Sequence, residues 1–209
     1  MRLFGYWRST TAYRVRIALN LKQLEYESVP VNLVSGEQKL PDYAALNPSR
    51  AVPTLVTDDG TALTQSMAIL DWLEETRPEP ALLPRDATLR ARVRAAAFGI
   101  ATDVHPVNNL RIVERLKAMG HTQDDVVAWM NHWMELGFAT FSDLVEDGSA
   151  FCFGDAPGLA DLCLVPQLYN ARRWNMNLTP FPRLTEIEAR CLALRAFDAA
   201  RPERQADAA

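Results

Sequence analysis

The chain has 209 residues, a formal net charge of −4 and a hydrophobic fraction of 48%, which suits one large or two small domains. This acidic balance argues against nucleic acid and against an anionic membrane surface as partners. No apolar run approaches the roughly 20 residues of a membrane span, and the first residues lack the pattern of a signal peptide. We therefore expect a cytoplasmic protein that binds neither membranes nor nucleic acid.

The cysteines and histidines carry little chemistry by themselves. The three cysteines are odd in number, scattered and confined to the second half of the chain, at Cys152, Cys163 and Cys191. Such a set is typical of reduced structural thiols in a cytosolic protein. The three histidines lack the i,i+4 spacing and the carboxylate partner of a helical metal site, so we predict no metal.

Strand and helix signals alternate over the first 80 residues, in the order βαβ followed by ββα. The predicted strands are 2–6, 26–31, 54–57 and 62–63, and the predicted helices are 10–22, 41–46 and 65–76. Helix 10–22 is amphipathic, and we expect Val15, Ala18 and Leu19 on its buried face.

Three prolines between residues 77 and 86 indicate a linker, and almost everything beyond it has helical period. The predicted helices are 87–104, 122–145, 159–174 and 183–197, with a weak strand signal at 150–153. Residues from 201 onward are polar and alanine-rich, and we expect them to fray. The layout is therefore α/β plus all-α, with an α/β domain at 1–80 and an all-helical domain at 86–209.

The first segment with chemical meaning is Tyr6-Trp7-Arg8-Ser9-Thr10-Thr11. Three hydroxyl residues open a helix, where backbone N–H groups lack intrahelical partners and the helix dipole is positive. Such a place suits an oxyanion or a thiolate. The alternative is that Ser9 or Thr10 is only an N-cap.

The second segment is the Val52-Pro53 pair before the third strand. An X–Pro bond at a tight turn can be cis, and such a turn would present the backbone N–H and C=O of Val52 outward. An exposed backbone pair binds a peptide-like ligand as an added strand. The alternative is a simple turn.

The third segment is Gln65-Ser66, at the start of the third predicted helix. Its hydroxyl, its backbone N–H and the helix dipole together suit a carboxylate. The alternative is again an N-cap, and we take Asp71 and Glu74 further along the helix as mostly surface charge.

A sulfur anion site, a peptide edge and a carboxylate clamp together match glutathione. With these motifs the chain resembles the glutathione S-transferase family over its whole length, most closely the zeta class with its bacterial maleylacetoacetate and maleylpyruvate isomerases. The motifs that carry the resemblance are Tyr6-Trp7-Arg8-Ser9, Arg14-Val15-Arg16-Ile17-Ala18-Leu19, Asn47-Pro48, Val52-Pro53, Gln65-Ser66, Asp103-Val104-His105-Pro106-Val107-Asn108-Asn109, Leu159-Ala160-Asp161 and Leu164-Val165-Pro166-Gln167. The resemblance implies a thioredoxin-like N-terminal domain followed by an all-helical C-terminal domain.

The resemblance also implies a role for each matching residue. Ser9 would hydrogen-bond the glutathione sulfur, with Thr10 and Thr11 beside it, and Arg8 and Arg173 would bind the carboxylates of the substrate. The implied glutathione contacts are Ser9, Thr11, Gln38, Val52, Gln65, Ser66, His105, Asn109 and Arg111.

Two of these assignments have strong structural alternatives. Pro106 within a helical pattern bends the helix and shapes a cleft, but a surface histidine such as His105 beside a kink is commonly structural. Arg172 and Arg173 look like a solvated helix face, and only the resemblance favours Arg173.

Three positions depart from the pattern of the resembled class. Many members have Ser-Ser-Cys where this chain has Ser9-Thr10-Thr11, so no cysteine can take part there. Many bacterial relatives have His in place of Lys39. Gly158 replaces the usual Ser or Thr that caps the following helix, so half of that capping box is lost while its partner Asp161 is kept.

The implied activity is cis–trans isomerisation of a maleyl diacid by thiolate addition, bond rotation and elimination, with glutathione regenerated as a cofactor. The resemblance further implies a homodimer that pairs the α/β domain of one chain with the helical domain of the other. The alternative activity is that of a general glutathione transferase, which conjugates or dehalogenates small electrophiles. A non-enzymatic binding module is disfavoured by the intact Ser9 and Gln65-Ser66 set.

Overall fold

The computed structural model describes residues 1–208 and contains a four-stranded sheet in the first part of the chain. The strand order is β2-β1-β3-β4; β1 pairs with β2 in parallel, and the other two pairings are antiparallel. The strands are β1 Arg2–Gly5, β2 Glu27–Pro30, β3 Thr54–Val56 and β4 Ala62–Thr64. This topology confirms the predicted βαβ–ββα order.

Three helices accompany the sheet: α1 Thr10–Leu21, α2 Pro41–Leu46 and α3 Ser66–Thr76. Each lies within a residue of its predicted bounds. A short 3-10 turn, Glu37–Lys39, precedes α2 and carries no periodic signal long enough to detect.

The second half is helical, as predicted, but its subdivision differs from the prediction. The helices are α4 Ala87–Phe98, α5 Leu110–Ala118, α6 Gln123–Leu144, α7 Leu159–Arg173, α8 Pro182–Leu192 and α9 Arg195–Ala200. Helix α5 was not predicted, and the predicted helix 183–197 is broken because Leu194 has extended backbone angles. Residues 150–153 form bends rather than a strand.

The predicted helix 87–104 changes its hydrogen bonding before it reaches Pro106. The α-helical pattern ends at Phe98 and a π-helical segment, Gly99–Val104, follows. The N–H of His105 donates to the carbonyl of Ile100 at 2.9 Å, which is an i→i+5 bond. A proline has no N–H to donate to the preceding turn. The helix therefore ends in this π-helical segment, just before Pro106.

The chain divides into two compact units. The first consists of residues 1–82 together with residues 192–208, and the second is Leu83–Cys191. The predicted all-helical range 86–209 therefore loses its last part to the first unit, where α9 packs on α1. The described residues beyond 200 are not frayed: Pro202–Arg204 form a 3-10 turn and Pro202 is buried. Ala209 lies outside the described residues.

Helix α1 forms the centre of the first unit. The prediction gave it one buried face, but the unbroken run from Ala12 to Leu19 is buried. Val15, Ala18 and Leu19 are fully enclosed, as predicted. Arg14 and Arg16 are also buried, with 1% and 3% of their surface exposed, and a buried cation must find hydrogen-bond acceptors within the fold.

A buried lysine joins the end of α1 to the chain after α3. The Nζ of Lys22 donates to the Glu74 carboxylate at 3.1 Å and to the carbonyls of Arg77 and Pro80 at 2.6 and 2.9 Å. The Glu74 carboxylate also accepts from the N–H of Leu82 at 2.9 Å. Glu74 is thus part of a structural network rather than surface charge.

The start of α7 keeps half of a capping box. Asp161 accepts from the N–H of Gly158 at 2.8 Å and from the N–H of Cys152 at 3.0 Å. Gly158 has no side chain with which to return the bond. Burial raises the pKa of the Asp161 carboxyl, and the N–H donors around it oppose that rise.

None of the helices within residues 1–208 is both long and apolar enough to cross a bilayer.

A close approach of α6 to the π-helical segment gives a stability prediction. A Cβ at Gly137 would overlap the side chain of Val104, whereas a Cβ at Gly99 would meet nothing within 4 Å. We expect Gly137→Ala to lower the free energy of unfolding by about 1–3 kcal/mol through overpacking. Gly99→Ala, the control, should be neutral or stabilising by up to about 1 kcal/mol. Urea unfolding of both variants measures this, and equal stabilities would contradict the packing described.

Candidate functional site

Ser9 caps the helix that follows β1. Its Oγ accepts from the N–H of Ala12 at 3.2 Å, and its backbone lies in the extended region. The N-cap alternative is therefore correct as far as it goes. Ser9 is still partly exposed, so its hydroxyl is accessible to a ligand at the positive end of α1.

The Ser9 hydroxyl is the first member of a chain of three hydrogen-bonding groups. Its Oγ lies 2.9 Å from the Oγ1 of Thr11, which in turn donates to the carbonyl of Val52 at 2.9 Å. A threonine hydroxyl has a single proton. Because Thr11 gives that proton to Val52, Ser9 must be the donor in the Ser9–Thr11 bond.

The middle hydroxyl of the triplet is placed differently from the other two. Thr10 begins α1 and is buried, while Ser9 and Thr11 are both partly exposed. Burial makes Thr10 the least accessible of the three predicted hydroxyls, and Ser9 and Thr11 are the two that share a hydrogen bond.

Val52 lies in the loop before β3, next to a cis peptide bond to Pro53. Its carbonyl accepts from Thr11, and its N–H has no acceptor within residues 1–208. A carbonyl oxygen has a second lone pair. Val52 therefore offers both a free donor and a remaining acceptor, which is the pair that an added peptide strand requires.

The loop that carries Val52 is anchored on its other side by two donors. The hydroxyl of Tyr43 and the Nδ2 of Asn47 both donate to the carbonyl of Ala51, at 2.6 and 2.7 Å. The same two side chains contact the hydroxyl of Thr54 at 3.0 Å. Burial raises the pKa of the Tyr43 hydroxyl, so it stays protonated and remains a donor.

Gln65 and Ser66 lie at the start of α3, as predicted. Gln65 has φ of 67°, a left-handed conformation that is uncommon for a residue with a side chain and is found at functional sites. Ser66 is the first residue of the helix, so its N–H has no intrahelical acceptor. The Nη1 of buried Arg14 lies 3.4 Å from the Oγ of Ser66. A guanidinium, a hydroxyl and a helix N-terminus thus converge where a carboxylate is expected.

Gln38 lies in the 3-10 turn before α2 and is 6% exposed. Its Oε1 is buried and has no hydrogen-bond partner within the described part of the chain. A buried polar atom without a partner costs free energy unless a ligand or a water satisfies it. This orphaned acceptor is consistent with the predicted ligand contact of Gln38.

Arg8 contacts two aromatic rings. Its guanidinium carbon lies 4.8 Å from the centroid of the Trp7 ring and 5.8 Å from that of Tyr6. Its Nη2 donates to the Tyr6 hydroxyl at 3.2 Å. Arg8 makes no ion pair with any residue between 1 and 208, so its charge remains available to an anion.

Three of the predicted residues lie together in the second unit, after the π-helical segment. Asn109 caps α5 by accepting from the N–H of Arg111 at 3.2 Å. The Nδ2 of Asn109 lies 3.5 Å from the Nε2 of His105. Asn109 can only donate with that nitrogen, so this contact favours the His105 tautomer with its proton on Nδ1. Arg111 is exposed.

The two arginines at the end of α7 have different environments. Arg172 forms a bidentate pair with Glu188, with N–O distances of 2.6 and 2.5 Å. Arg173 is exposed, and its Nη1 lies 3.4 Å from the Oδ1 of Asn170. Both arginines are exposed, and they differ in their partners: Arg172 forms an ion pair with Glu188, whereas Arg173 contacts the neutral Asn170.

The cysteines offer no nucleophile. All three are buried thiols. Burial raises the pKa of the Cys152 and Cys191 thiols, so both stay protonated. Any thiolate in this site must come from a ligand.

The sequence interpretation missed Arg14 and Arg16 as individual contributors. Both were quoted within a motif, but neither was given a role. A signal was available, because these cations alternate with Tyr13, Val15 and Ile17 on a helix that has no continuous polar face. Charged residues on such a helix must be buried and paired.

The groups of the first unit fit a ligand with three features. The start of α1 suits a sulfur anion, Val52 suits a peptide group, and Ser66 with Arg14 suits a carboxylate. The orphaned Oε1 of Gln38 adds one acceptor for a donor on that ligand. Glutathione carries all of these features, so the residues present fit it.

Comparison with known proteins agrees with this geometry. Residues 8–76 match the model of the glutathione S-transferase N-terminal domain. The chain is 46% identical to the maleylacetoacetate isomerase of Pseudomonas aeruginosa, covering 99% of this chain and 98% of that protein.

Two solved structures superpose closely on this chain. One is a holo maleylpyruvate isomerase described as a bacterial zeta-class glutathione S-transferase, with a TM-score of 0.97, 45% identity and full coverage of both chains. The other is a maleylacetoacetate isomerase from Methylobacterium extorquens AM1 with malonate and glutathione bound, with a TM-score of 0.95, 39% identity and full coverage of both chains. The chain belongs to the glutathione S-transferase family, within the zeta class that includes the maleylacetoacetate and maleylpyruvate isomerases.

Proposed function

We propose that this protein is a glutathione-dependent cis–trans isomerase that converts a maleyl diacid, either maleylacetoacetate or maleylpyruvate, to its fumaryl isomer. The relatives that carry these activities match the chain over its full length. The observation that carries the mechanism is the Ser9–Thr11–Val52 chain, which joins an anion site to a free peptide edge through two hydrogen bonds of 2.9 Å.

Glutathione binds along the first unit, and each of its features has a counterpart there. The sulfur lies at Ser9, the cysteinyl backbone pairs with Val52, and the γ-glutamyl carboxylate lies at Gln65 and Ser66. Arg14 supports that carboxylate from behind, since its Nη1 is 3.4 Å from the Ser66 hydroxyl. Gln38 contributes its unsatisfied side-chain oxygen.

When bound, glutathione supplies a thiolate that adds to the cis double bond and leaves again after rotation, so it is regenerated in every cycle. The chain must therefore favour the thiolate over the thiol. Ser9 does so by donating a hydrogen bond to the sulfur, and the dipole of α1 adds a favourable potential. Without ligand the Ser9 proton points to Thr11, so sulfur and Thr11 compete for one donor.

Thr11 acts through its two neighbours rather than on the substrate. It holds the Val52 carbonyl at 2.9 Å and defines the direction of the Ser9 proton. The second lone pair of that carbonyl remains for the cysteinyl N–H of glutathione. Thr11 thereby fixes the position of the Val52 backbone relative to Ser9, where the sulfur binds.

The diacid substrate needs cationic groups, both for its carboxylates and for the negative charge that develops during addition. Arg8 meets this need in the first unit, because its guanidinium is fixed by two rings and has no carboxylate partner among the described residues. Arginine matches a carboxylate better than lysine does. The roles of His105, Asn109, Arg111 and Arg173 remain predictions from the resemblance.

We also propose a homodimer and a cytoplasmic location. Exposed apolar side chains on the second unit, Phe98 and Leu136, support an interface there. Leu136 also lines a cleft of about 160 Å³, together with Val104 and Trp133. The three buried thiols are typical of a reducing compartment.

The proposed activity predicts a specific stoichiometry. With catalytic glutathione, the cis isomer of maleylacetoacetate or maleylpyruvate should disappear without consumption of glutathione. Ser9→Ala should lower kcat by about 10²-fold, because one donor to a developing or bound anion is lost. A spectrophotometric assay of both substrates, with glutathione measured in parallel, checks both statements.

Ser9→Ala also removes a helix cap, which costs about 1 kcal/mol. Thr122→Ala is the matched control, since Thr122 caps α6 in the second unit. It should lose similar stability and keep full turnover. Stoichiometric loss of glutathione would instead support the alternative, a general transferase that conjugates electrophiles. Unchanged turnover in Ser9→Ala would contradict the role given to this hydroxyl.

The hydroxyl chain predicts different effects for two substitutions of Thr11. Thr11→Val keeps the shape but removes the hydrogen bond that holds the Val52 carbonyl, so the peptide edge loses its support. We expect its Kd for glutathione to rise about fivefold, as the loss of about 1 kcal/mol implies. Thr11→Ser retains the hydroxyl and should bind like the wild type. Calorimetric titration measures both Kd values. Equal glutathione affinity of Thr11→Val and the wild type would contradict the role given to the Ser9–Thr11–Val52 hydrogen bonds.

A further inference from the structure

The loop that carries Arg8 is clamped from two directions at its centre. The N–H of Trp7 donates to the Oδ2 of Asp207 at 3.0 Å, and the carbonyl of Trp7 accepts from the Nη2 of Arg16 at 3.0 Å. Both backbone groups of one loop residue are thus held by side chains from other segments. We call residues Tyr6, Trp7 and Arg8 the arginine loop.

Arg16 connects this loop to the end of α9. It is 3% exposed, and its Nε donates to the carbonyl of Ala200, the last residue of α9, at 3.0 Å. A neighbouring bond from Asn20 Nδ2 to the carbonyl of Ala196, also 3.0 Å, holds the same helix against α1. The arginine loop and α9 are therefore fixed to one buried guanidinium.

The segment after α9 returns to the loop and closes a ring of contacts. Pro202–Arg204 form a 3-10 turn. The Nε2 of Gln205 donates to the carbonyls of Ala199 and Arg201, at 3.1 and 2.8 Å, which directs the chain back over the end of α9. Asp207 then accepts from Trp7.

The orientation of Arg8 depends on the residue that this ring holds. Its guanidinium carbon lies 4.8 Å from the Trp7 ring, the closer of its two aromatic contacts. The Nε of Arg8 is buried and has no hydrogen-bond partner within residues 1–208. The position of Arg8 therefore depends on its contacts with the two rings and on one hydrogen bond to the Tyr6 hydroxyl. A shift of Trp7 would move the plane on which Arg8 rests.

We propose that Asp207 and Arg16 are positioning residues, which fix the arginine loop so that the Arg8 guanidinium is held in place for a carboxylate of the diacid. This inference rests on the proposed function for the identity of the substrate. Neither residue touches the reacting atoms: they act through Trp7. The segment that carries Asp207, more than 190 residues away in the sequence, thereby supports the substrate site without contacting the substrate.

Asp207→Ala is the direct test, with Asp207→Asn as the conservative variant that keeps an acceptor oxygen. Glu203→Ala is the matched control, because Glu203 is an exposed carboxylate of the same segment. Hydrogen exchange of the Trp7 amide, KM for the maleyl substrate, and calorimetric Kd values for glutathione and for malonate are measured on the full chain. Malonate serves as the dicarboxylate probe.

We expect Asp207→Ala to lose protection of the Trp7 amide and to raise both KM and the malonate Kd about five- to tenfold. This is less than the full loss of one charge-assisted hydrogen bond, because the effect reaches Arg8 only through Trp7. The glutathione Kd should change less than about twofold, since Asp207 holds the arginine loop and not the groups that bind glutathione. The value of kcat should fall by a factor similar to the rise in KM, because Arg8 also faces the negative charge that develops during addition. Asp207→Asn should restore KM and the malonate Kd most of the way to the wild-type values, and Glu203→Ala should behave like the wild type.

Two results would overturn the inference. One is a loss of Trp7 protection with KM and malonate affinity unchanged. The other is an equal weakening of glutathione and malonate, which would mean general disorder of the unit. The proposed function fails differently: if the wild type isomerises neither diacid while Asp207→Ala still weakens malonate, the positioning role is supported and the isomerase assignment is refuted.

Discussion

The geometry at the start of α1 determines both how this helix is capped and where a sulfur anion can bind. One hydroxyl, that of Ser9, must cap a helix and also be able to donate to a sulfur anion. It accepts from the N–H of Ala12 for the first task, and for the second its proton must turn from Thr11 to the sulfur when glutathione binds. The two tasks do not conflict, because a hydroxyl accepts through its lone pairs and donates through its proton.

The burial of α1 then determines how the site is supported. A helix that is enclosed along most of its length cannot leave cations in solvent, so Arg14 and Arg16 reach inward to oxygen atoms. Arg14 reaches the hydroxyl at the start of α3, and Arg16 reaches the arginine loop and the end of α9. One helix thereby supports the proposed carboxylate site for glutathione on one side and that for substrate on the other.

The strand order, the helical second half and the three chemical segments were predictable because each leaves a local signal. Alternating apolar residues, prolines and clustered hydroxyls determine short-range structure, and the sheet topology follows from it. The partners of the buried Arg14 and Arg16 and the docking of Asp207 were not predictable. Each is a contact between distant parts of the chain, and Asp207 lies in a polar segment whose composition is typical of a frayed end.

Three further errors have separate causes. Helix α5 is nine residues long and was passed over in the prediction; Val113 is its one buried residue, so little apolar surface marks it as part of a core. The break between α8 and α9 has no proline or glycine to mark it, and extended backbone angles at Leu194 create it. Glu74 looked like surface charge because its partner, Lys22, is 52 residues away.

A crystal structure of this protein with glutathione bound would test the proposed sulfur site. We expect the sulfur within hydrogen-bond distance of the Ser9 Oγ, and the cysteinyl backbone paired with the N–H and C=O of Val52. A sulfur remote from the start of α1, or a tripeptide that leaves Val52 unpaired, would contradict it.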